Sequence, residues 1–220
     1  MILAVVSGKG GVGKSTLSFE LAAELDAVVV DADLGMANLP YAPGPDLHDV
    51  LAGRADPVEA VRDSSSVSIL PCGRTLAGAR AADVRRLADT LRAVEAAYGD
   101  VVVDCPAGMR ADAGVPLAVA DACLLVASPK RYALADAVRT RELARELDCG
   151  LAAVAVNRVV DDPPVDAFAD VLGAPTTAIP ADPRLAAAIE EFDPAVLDAP
   201  NSLVSTRIRE LAASVSTCRR

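Results

Sequence analysis

The first stretch of the chain that could do chemistry is SGKGGVGKST, at residues 7–16. Gly8, Gly13, Lys14 and Ser15 fit the phosphate-loop pattern G-x-x-x-x-G-K-[ST]. Glycines let backbone N–H groups point at phosphate oxygens, and the helix that follows adds its positive N-terminus. The pattern therefore predicts a nucleotide site in which Lys14 reaches the β- and γ-phosphates and the Ser15 hydroxyl binds Mg²⁺.

The same loop carries a second lysine, Lys9, which a phosphate loop does not require. Because Lys14 already serves the phosphates within its own chain, Lys9 is surplus to a monomeric site. A solvated loop lysine is the simplest alternative explanation. The predicted phosphate-binding residues are Gly8, Lys9, Gly10, Gly11, Val12, Gly13, Lys14, Ser15 and Thr16.

Two further motifs place carboxylates after short apolar runs. VVVDCPAG resembles a Walker B strand that ends in Asp104, where Mg²⁺ and its waters would lie, and Gly108 can bring the backbone close to the γ-phosphate. An aspartate that caps a strand-to-loop junction is the alternative for Asp104. Asp31 and Asp33 are two residues apart, so on an extended segment they point the same way. One could orient or deprotonate the attacking water, and the other could support a Mg²⁺-bound water or the loop.

The elements that must position these residues alternate between β-branched runs and helical stretches. This pattern predicts an α/β fold, a mainly parallel sheet with helices on both faces. The predicted strands cover residues 2–7, 27–33, 67–73, 100–106, 122–129, 151–157 and 176–180. The predicted helices include 14–25, 46–52, 81–97, 132–147, 183–191 and 203–215, with 40–46 and 159–166 as loops. In the last helix, Val204, Ile208, Leu211 and Val215 recur at helical spacing and should dock on the sheet.

Polar residues and prolines cluster where these strands end. They are Asp31, Asp33, Asp104, Pro129, Asn157 and Pro180. The carboxyl ends of parallel strands share one edge of an open sheet, which is where ligands bind. The phosphate loop follows the first strand and opens onto the same edge, so one site is predicted there.

Composition narrows the class of protein. The 220 residues suit one domain over residues 1–220, and no apolar run approaches the roughly 18 residues of a membrane helix. We find no signal-peptide pattern and expect a cytoplasmic protein. The net charge of −10, with three lysines, disfavours non-specific nucleic-acid binding through a broad basic face.

The cysteines and the one histidine offer little chemistry. The five cysteines contain no C-x-x-C pair, which argues against a zinc or iron–sulfur site. Cys105 and Cys123 lie in apolar runs and are predicted to be buried free thiols. His48 is predicted to be structural or exposed.

Five motifs together carry a family resemblance: SGKGGVGKST, VVDADLGMANL, LHDVLAG, VVVDCPAG and VAVNRV. In this order they resemble the MinD branch of the MinD/ParA family of deviant-Walker-A ATPases. The resemblance implies that Lys9 reaches across an ATP-sandwiched homodimer to the phosphates of the partner. It also implies that Asp33 activates the attacking water and that Asp104 is the Walker B aspartate, which holds Mg²⁺ through water.

The resemblance also extends to the base of the nucleotide. Asn157 would hydrogen-bond adenine, and the segment IPADPRL resembles a second adenine-side loop in which Pro180 and Asp182 make contacts. The guanine-reading motif N-K-x-D is absent, because Arg158 follows Asn157. The implied ligands are therefore ATP and Mg²⁺.

The function implied is an ATP-dependent dimerising switch that hydrolyses ATP slowly and positions a cellular component. An activating or cargo protein would act with it. The alternatives are a ParA-type DNA-partitioning ATPase, an iron–sulfur carrier of related fold, and a nucleotide-binding module with little turnover. The C-terminal stretch RIRELAASVSTCRR has four arginines but no bulky apolar face beyond the docking face. We therefore expect weak or absent direct membrane binding, with membrane association at most through a partner.

Overall fold

A parallel sheet carries the residues of interest. The computed structural model describes residues 1–35, 37–39, 43–64, 66–108 and 111–218, with backbone alone for 111–113. Within these ranges the strands are β1 (Ile2–Val6), β2 (Val28–Asp31), β3 (Ile69–Leu70), β4 (Val101–Asp104), β5 (Ala122–Ala127), β6 (Gly150–Val159) and β7 (Thr176–Pro180). They pair in parallel in the order β3-β2-β4-β1-β5-β6-β7.

The connections between strands are mostly helical. The helices are α1 (Lys14–Leu25), α2 (Leu47–Leu51), α3 (Leu76–Ala81), α4 (Leu87–Tyr98), α5 (Ala111–Val119), α6 (Ala133–Glu146), α7 (Val165–Leu172), α8 (Pro183–Glu191), α9 (Ala195–Asp198) and α10 (Leu203–Ser216). A 3₁₀ turn at Val84–Arg86 precedes α4. Across the part of the chain described, no helix is long and apolar enough to cross a membrane.

Alternation along β1 divides the core into two layers. Ile2, Ala4 and Val6 face one layer, and Leu3 and Val5 face the other, since successive side chains of a strand point to opposite faces. Helices α2, α4, α5, α6 and α7 supply the first layer. Helices α1, α8, α9 and α10 supply the second. The predicted α/β fold with helices on both faces of a parallel sheet is confirmed.

Helix α10 docks through the apolar face that the sequence predicted. Val204, Ile208, Leu211 and Val215 are each fully buried. Burying an aliphatic side chain of this size stabilises the fold by roughly 1.5–3 kcal/mol. Because these four residues face the sheet and α1, they anchor the last helix beside the phosphate-loop helix.

A buried carboxylate fixes α9 to the phosphate-loop helix. Glu20 of α1 is fully buried and accepts backbone N–H groups from Ala195 and Val196, both at 2.9 Å. These N–H groups belong to the first turn of α9, which otherwise lacks intrahelical acceptors for them. Burial raises the pKa of Glu20 above its usual value, although the two backbone N–H groups oppose that shift.

Several predicted boundaries were wrong. The helix predicted over 81–97 is broken, because α3 ends at Ala81 and the 3₁₀ turn intervenes before α4 begins at Leu87. The strand predicted over 67–73 shortens to Ile69–Leu70. Part of the predicted loop at 40–46 (residues 40–42) lies outside the described residues, as do residue 36 and the two terminal arginines.

Helices α5, α7 and α9 were not among the predicted helices, and each contains or follows a proline. Helix α5 contains Pro116, which removes one backbone donor from the helix interior. Helix α7 follows Pro164 and α9 follows Pro194, and both of these prolines are the N-cap residues. Proline is tolerated at helix starts because the first N–H groups have no intrahelical partner. The loop predicted over 159–166 therefore already contains the start of α7.

Candidate nucleotide-binding site

The phosphate loop connects β1 to α1 in a conformation that glycine makes possible. Gly11 and Gly13 have φ values of 78° and 92°, in the left-handed region that side chains disfavour. A Cβ on Gly13 would also clash with the side-chain amide of Asn157. Gly13 is the N-cap of α1 and supplies no side-chain cap, so the first N–H groups of the helix can bind an anion.

A cavity of about 430 Å³ lies over this loop, where the phosphates were predicted. It brings together Lys14, Ser15 and Asp33, which lie far apart in the sequence. The full lining is Gly10, Gly11, Gly13, Lys14, Ser15, Thr16, Asp33, Gly35, Asn38, Pro106, Ala107 and Arg158. Lys14 is only 7% exposed and enters from the start of α1. Cationic, hydroxyl and carboxylate groups therefore converge on one space large enough for phosphates.

Asp104 offers an oxygen that suits a divalent cation. It is fully buried at the end of β4, where Oδ1 accepts a hydrogen bond from Ser18 Oγ at 3.4 Å. Oδ2 is buried too and has no hydrogen-bond partner among the described residues. Burial raises the pKa of Asp104 to about 7, although the Lys14 charge and the nearby Ser15 hydroxyl act in the opposite direction. An orphaned carboxylate oxygen beside the Ser15 hydroxyl fits Mg²⁺, which prefers oxygen ligands.

The other Mg²⁺ ligands would come from the nucleotide and from water. Across the described ranges, no group of three His, Cys, Asp or Glu residues could hold a metal on its own. Mg²⁺ in phosphate-transfer sites is held through one or two protein groups together with substrate phosphates and waters. The donor set of Ser15 and Asp104 fits that mode of binding.

Asp31 and Asp33 have different surroundings. Asp31 is fully buried and accepts the backbone N–H groups of Asp33 at 3.2 Å, Asn38 at 2.8 Å and Leu39 at 3.0 Å. Burial raises its pKa to about 6, partly opposed by these hydrogen bonds. Asp33 instead lines the phosphate cavity and accepts a hydrogen bond from Asn38 Nδ2 at 3.1 Å. Asp31 therefore holds the loop, and Asp33 is the carboxylate available to a reacting group.

Asn157 links the end of β6 to the phosphate loop. It is 2% exposed, and its Nδ2 donates to the backbone carbonyl of Val12 at 2.9 Å. Its Oδ1 is a buried acceptor with no partner in the described chain. One half of the amide thus supports the loop, and the other half is left to accept a hydrogen bond from a ligand.

A smaller cavity of about 70 Å³ adjoins Asn157 on the side predicted for adenine. Pro180, Asp182 and Thr16 line it, and Thr16 also lines the phosphate cavity. Asp182 caps α8 by accepting the backbone N–H of Arg184 at 3.0 Å, and it pairs with the Arg184 guanidinium at 2.7 Å. That guanidinium lowers the pKa of Asp182. The Asp182 carboxylate is therefore engaged in holding the start of α8.

Arg158 is a site residue that the sequence analysis did not select. It lines the phosphate cavity, the small adenine-side cavity and a third cavity beside Lys9. Its φ of 63° coincides with a register shift between Asn157 and Val159 at the end of β6. Adjacent residues of a regular strand face opposite sides. The bulge lets Asn157 and Arg158 line the same cavities. The residue types at 157–159 do not predict a bulge.

Lys9 lies apart from the phosphate cavity of its own chain. It is exposed and lines a neighbouring cavity of about 330 Å³, next to Gly8 and the start of α6. Its Nζ lies 5.7 Å from the centroid of the Tyr132 ring, and Lys130 Nζ lies 5.8 Å from the same ring. Gly8 packs closely here, since a Cβ on it would lie 2.7 Å from that of Asp136.

The remaining candidates have structural surroundings. Gly108 has a φ of 86° and donates its N–H to the Ser7 carbonyl at 3.0 Å, so it ties the loop after β4 to the start of the phosphate loop. Cys105 and Cys123 are buried free thiols, as predicted. His48 is 2% exposed, which supports its structural interpretation.

Comparison with known proteins agrees with this geometry. The family model described as ParA, NUBPL iron-transfer P-loop NTPase, matches residues 1–164. An uncharacterized ATP-binding protein of Methanocaldococcus jannaschii is 32% identical over 228 residues, which cover 97% of this chain and 86% of that protein.

Two solved structures are similar along nearly the whole chain. The Pyrococcus furiosus cell division ATPase MinD has a TM-score of 0.91 at 30% identity, covering 99% of this chain and 98% of that one. The septum site-determining protein MinD of Pyrococcus horikoshii, complexed with Mg-ADP, has a TM-score of 0.89 at 30% identity, covering 97% and 94%. The chain therefore belongs to the MinD/ParA family of P-loop NTPases.

Proposed function

We propose that this protein is an ATP-dependent dimerising switch that hydrolyses ATP slowly and so controls the position of a cellular component. The observation that carries the proposal is that the two lysines of the phosphate loop lie at different cavities and differ in burial. Lys14 is buried at the phosphate cavity, whereas Lys9 is exposed and lines a different cavity. A cation in that place becomes useful when a second anionic site faces it, and a partner subunit's ATP is such a site.

The roles of the residues follow from their positions. Lys14 and the backbone N–H groups of the loop would bind the phosphates, and Asp33 would orient the attacking water and accept its proton. Mg²⁺, when held by Ser15 and by Asp104 through water, would offset charge on the phosphate oxygens. Lys9 would add a cation from the other subunit, as an arginine finger does, so hydrolysis would depend on dimerisation.

The base side supports a preference for ATP. The unpartnered Oδ1 of Asn157 can accept a hydrogen bond from the amino group of adenine. The same position on guanine is a carbonyl oxygen, and two acceptors would repel each other. Pro180 and Asp182 would contact the base from the small cavity beside Asn157.

The cellular role is proposed from similarity to a relative. The Pyrococcus furiosus relative is a cell division ATPase, and a division-site or other assembly role is proposed here on that similarity. The apolar face of α10 is occupied by the sheet and α1, which supports weak or absent membrane binding by that helix. The charge of −10 likewise favours a protein partner over nucleic acid.

The test is the oligomeric state of an Asp33→Ala variant, which should bind ATP without hydrolysing it. Light scattering should find dimers with Mg-ATP and monomers with Mg-ADP, because the γ-phosphate would be the group that Lys9 binds across the interface. Adding Lys9→Ala should leave one nucleotide bound per chain and abolish the dimer. Both low and high salt should be used, since the negative charge can itself oppose association.

The matched control is Lys130→Ala, in the same Asp33→Ala background. Lys130 is an exposed lysine that approaches the same tyrosine ring, so its removal changes the net charge equally. That variant should still dimerise with ATP. A stable ATP dimer in the Lys9→Ala variant would show that Lys9 does not act across the interface.

A further inference from the structure

Two buried side chains that do not line the phosphate cavity contact the backbone of the loop that carries Asp33. His48 of α2 places Nε2 3.1 Å from the backbone carbonyl of Leu34. Cys72, just after β3, places Sγ 3.5 Å from the backbone carbonyl of Asp33 and 3.5 Å from His48 Nε2. The two side chains thus contact consecutive carbonyls of the loop that presents the Asp33 carboxylate.

Both groups have the protonation that these contacts require. A carbonyl accepts hydrogen bonds, so the contact with Leu34 assigns the hydrogen of the imidazole to Nε2. Burial raises the pKa of the Cys72 thiol, so its S–H is retained as a donor to the Asp33 carbonyl. The imidazole is also closely confined, because a Cβ on Gly73 would clash with His48 Nδ1 and one on Gly78 would lie 2.9 Å from it. His48 therefore has little freedom to turn away from Leu34.

Asp31 also fixes the loop. That carboxylate holds the N–H groups of Asp33 and Leu39, and Asn38 holds one oxygen of the Asp33 side chain. Three parts of the chain then determine where the Asp33 backbone lies: the end of β2, helix α2 and the segment that follows β3. Helix α2 is itself tied to the segment after β3, since Leu47 N–H donates to the Pro71 carbonyl at 2.9 Å.

We propose that His48 and Cys72 are positioning residues, which set the reach of Asp33 into the phosphate cavity and thereby the rate of ATP hydrolysis. This inference rests on the proposed role of Asp33 as the water-activating carboxylate. Both side chains are almost fully buried, at 2% and 1% exposure, and neither lines the phosphate cavity. Their loss should therefore alter turnover while leaving nucleotide binding intact.

The test uses two amide substitutions of His48, glutamine and asparagine, which differ in how far the side-chain N–H reaches. A glutamine can place an N–H where Nε2 lies, whereas an asparagine reaches only as far as Nδ1. His48→Asn should lower kcat about 10-fold or more, because a displacement of about 1 Å at a reacting group can cost about 100-fold. His48→Gln should restore most of kcat. The ATP dissociation constant should stay within about twofold in both variants, since the phosphate loop is untouched.

A second pair of variants guards against a general packing effect. Cys72→Ala removes the weak S–H donor and should lower kcat about threefold. Cys149→Ala removes another buried thiol, which precedes β6 at the far end of the sheet, and should leave kcat unchanged. Thermal unfolding of each variant reports on the fold. Hydrogen exchange of the Asp33 and Leu39 amides should speed up in His48→Asn and Cys72→Ala but not in Cys149→Ala.

An Asp33→Ala variant measured alongside separates the two hypotheses. If Asp33→Ala hydrolyses ATP at the wild-type rate, the proposed catalytic role of Asp33 fails. If Asp33→Ala abolishes hydrolysis while folded His48→Asn retains full kcat, the positioning role is overturned. The same holds if His48→Gln and His48→Asn lose kcat equally, because the position of the N–H would then be irrelevant.

Discussion

The phosphate loop has an inner side, which carries Lys14, and an outer side, which carries Lys9, and the two sides differ in how far the chain buries their charged groups. On the inner side, Lys14 is 7% exposed and its charge acts on the buried carboxyl of Asp104. On the outer side, Lys9 is exposed and its ammonium approaches the ring of Tyr132, which is itself 60% exposed. The difference suggests that the inner groups bind nucleotide in a monomer, whereas the outer groups matter when another molecule covers them.

The largest expected effect distinguishes the two lysines by nucleotide affinity. Lys14→Ala should weaken Mg-ATP binding by on the order of 100-fold, because removing one member of a desolvated charge pair costs roughly 2–5 kcal/mol. Lys9→Ala should weaken binding to the monomer by less than about threefold, since its charge stays in solvent. Calorimetry with a non-hydrolysable ATP analogue measures both. Equal losses in the two variants would contradict the contrast between the inner and outer sides.

A smaller effect is expected at Asn157, beside the predicted adenine site. Asn157→Ala should weaken ATP binding by about tenfold, because it removes the acceptor for adenine and the hydrogen bond to the Val12 carbonyl. GTP binding should weaken less, so the preference for ATP should shrink. Calorimetric titration of both nucleotides, with tripolyphosphate as the probe of the phosphate loop alone, checks this. An unchanged ratio of ATP to GTP affinity would mean that Asn157 does not read the base.

The sequence was informative where function depends on local pattern. The phosphate loop is a run of consecutive residues, so its glycines and Lys14 could be found from spacing alone. Asp104 and Asn157 were selected because each lies at or near the end of a predicted apolar strand, and parallel strands end at one edge. The same reasoning located the docking face of α10 from its helical period.

What the sequence could not reveal depends on contacts between distant segments. Arg158 reaches the site through a bulge at the end of β6, which strand alternation does not predict. His48 and Cys72 meet the Asp33 loop because α2 and β3 pack behind it, so each looks like an ordinary core residue in one dimension. Asp31 and Asp33 are both aspartates, so the sequence does not show which of them holds the loop. In the structure, Asp31 is the one that is buried and accepts the backbone N–H groups.

The smallest expected effect concerns the aromatic ring on the outer side. A lysine ammonium within about 6 Å of an exposed aromatic ring gains about 0.5–1 kcal/mol. Lys9 would have to give up this contact to reach the phosphates of a partner subunit. Tyr132→Leu, which keeps an apolar side chain but removes the ring, should therefore tighten the ATP dimer of the Asp33→Ala variant by about two- to fivefold for each of the two Lys9 side chains.

Tyr132→Phe is the matched control, because it retains the ring and should leave the dimer dissociation constant unchanged. Sedimentation equilibrium at a fixed, moderate salt concentration measures both variants, and salt must be fixed since screening changes the repulsion between two chains of charge −10. If Tyr132→Leu instead weakens the dimer, the ring forms part of the interface. The outer side of the loop would then contact the partner subunit through its aromatic residue as well as through its cation.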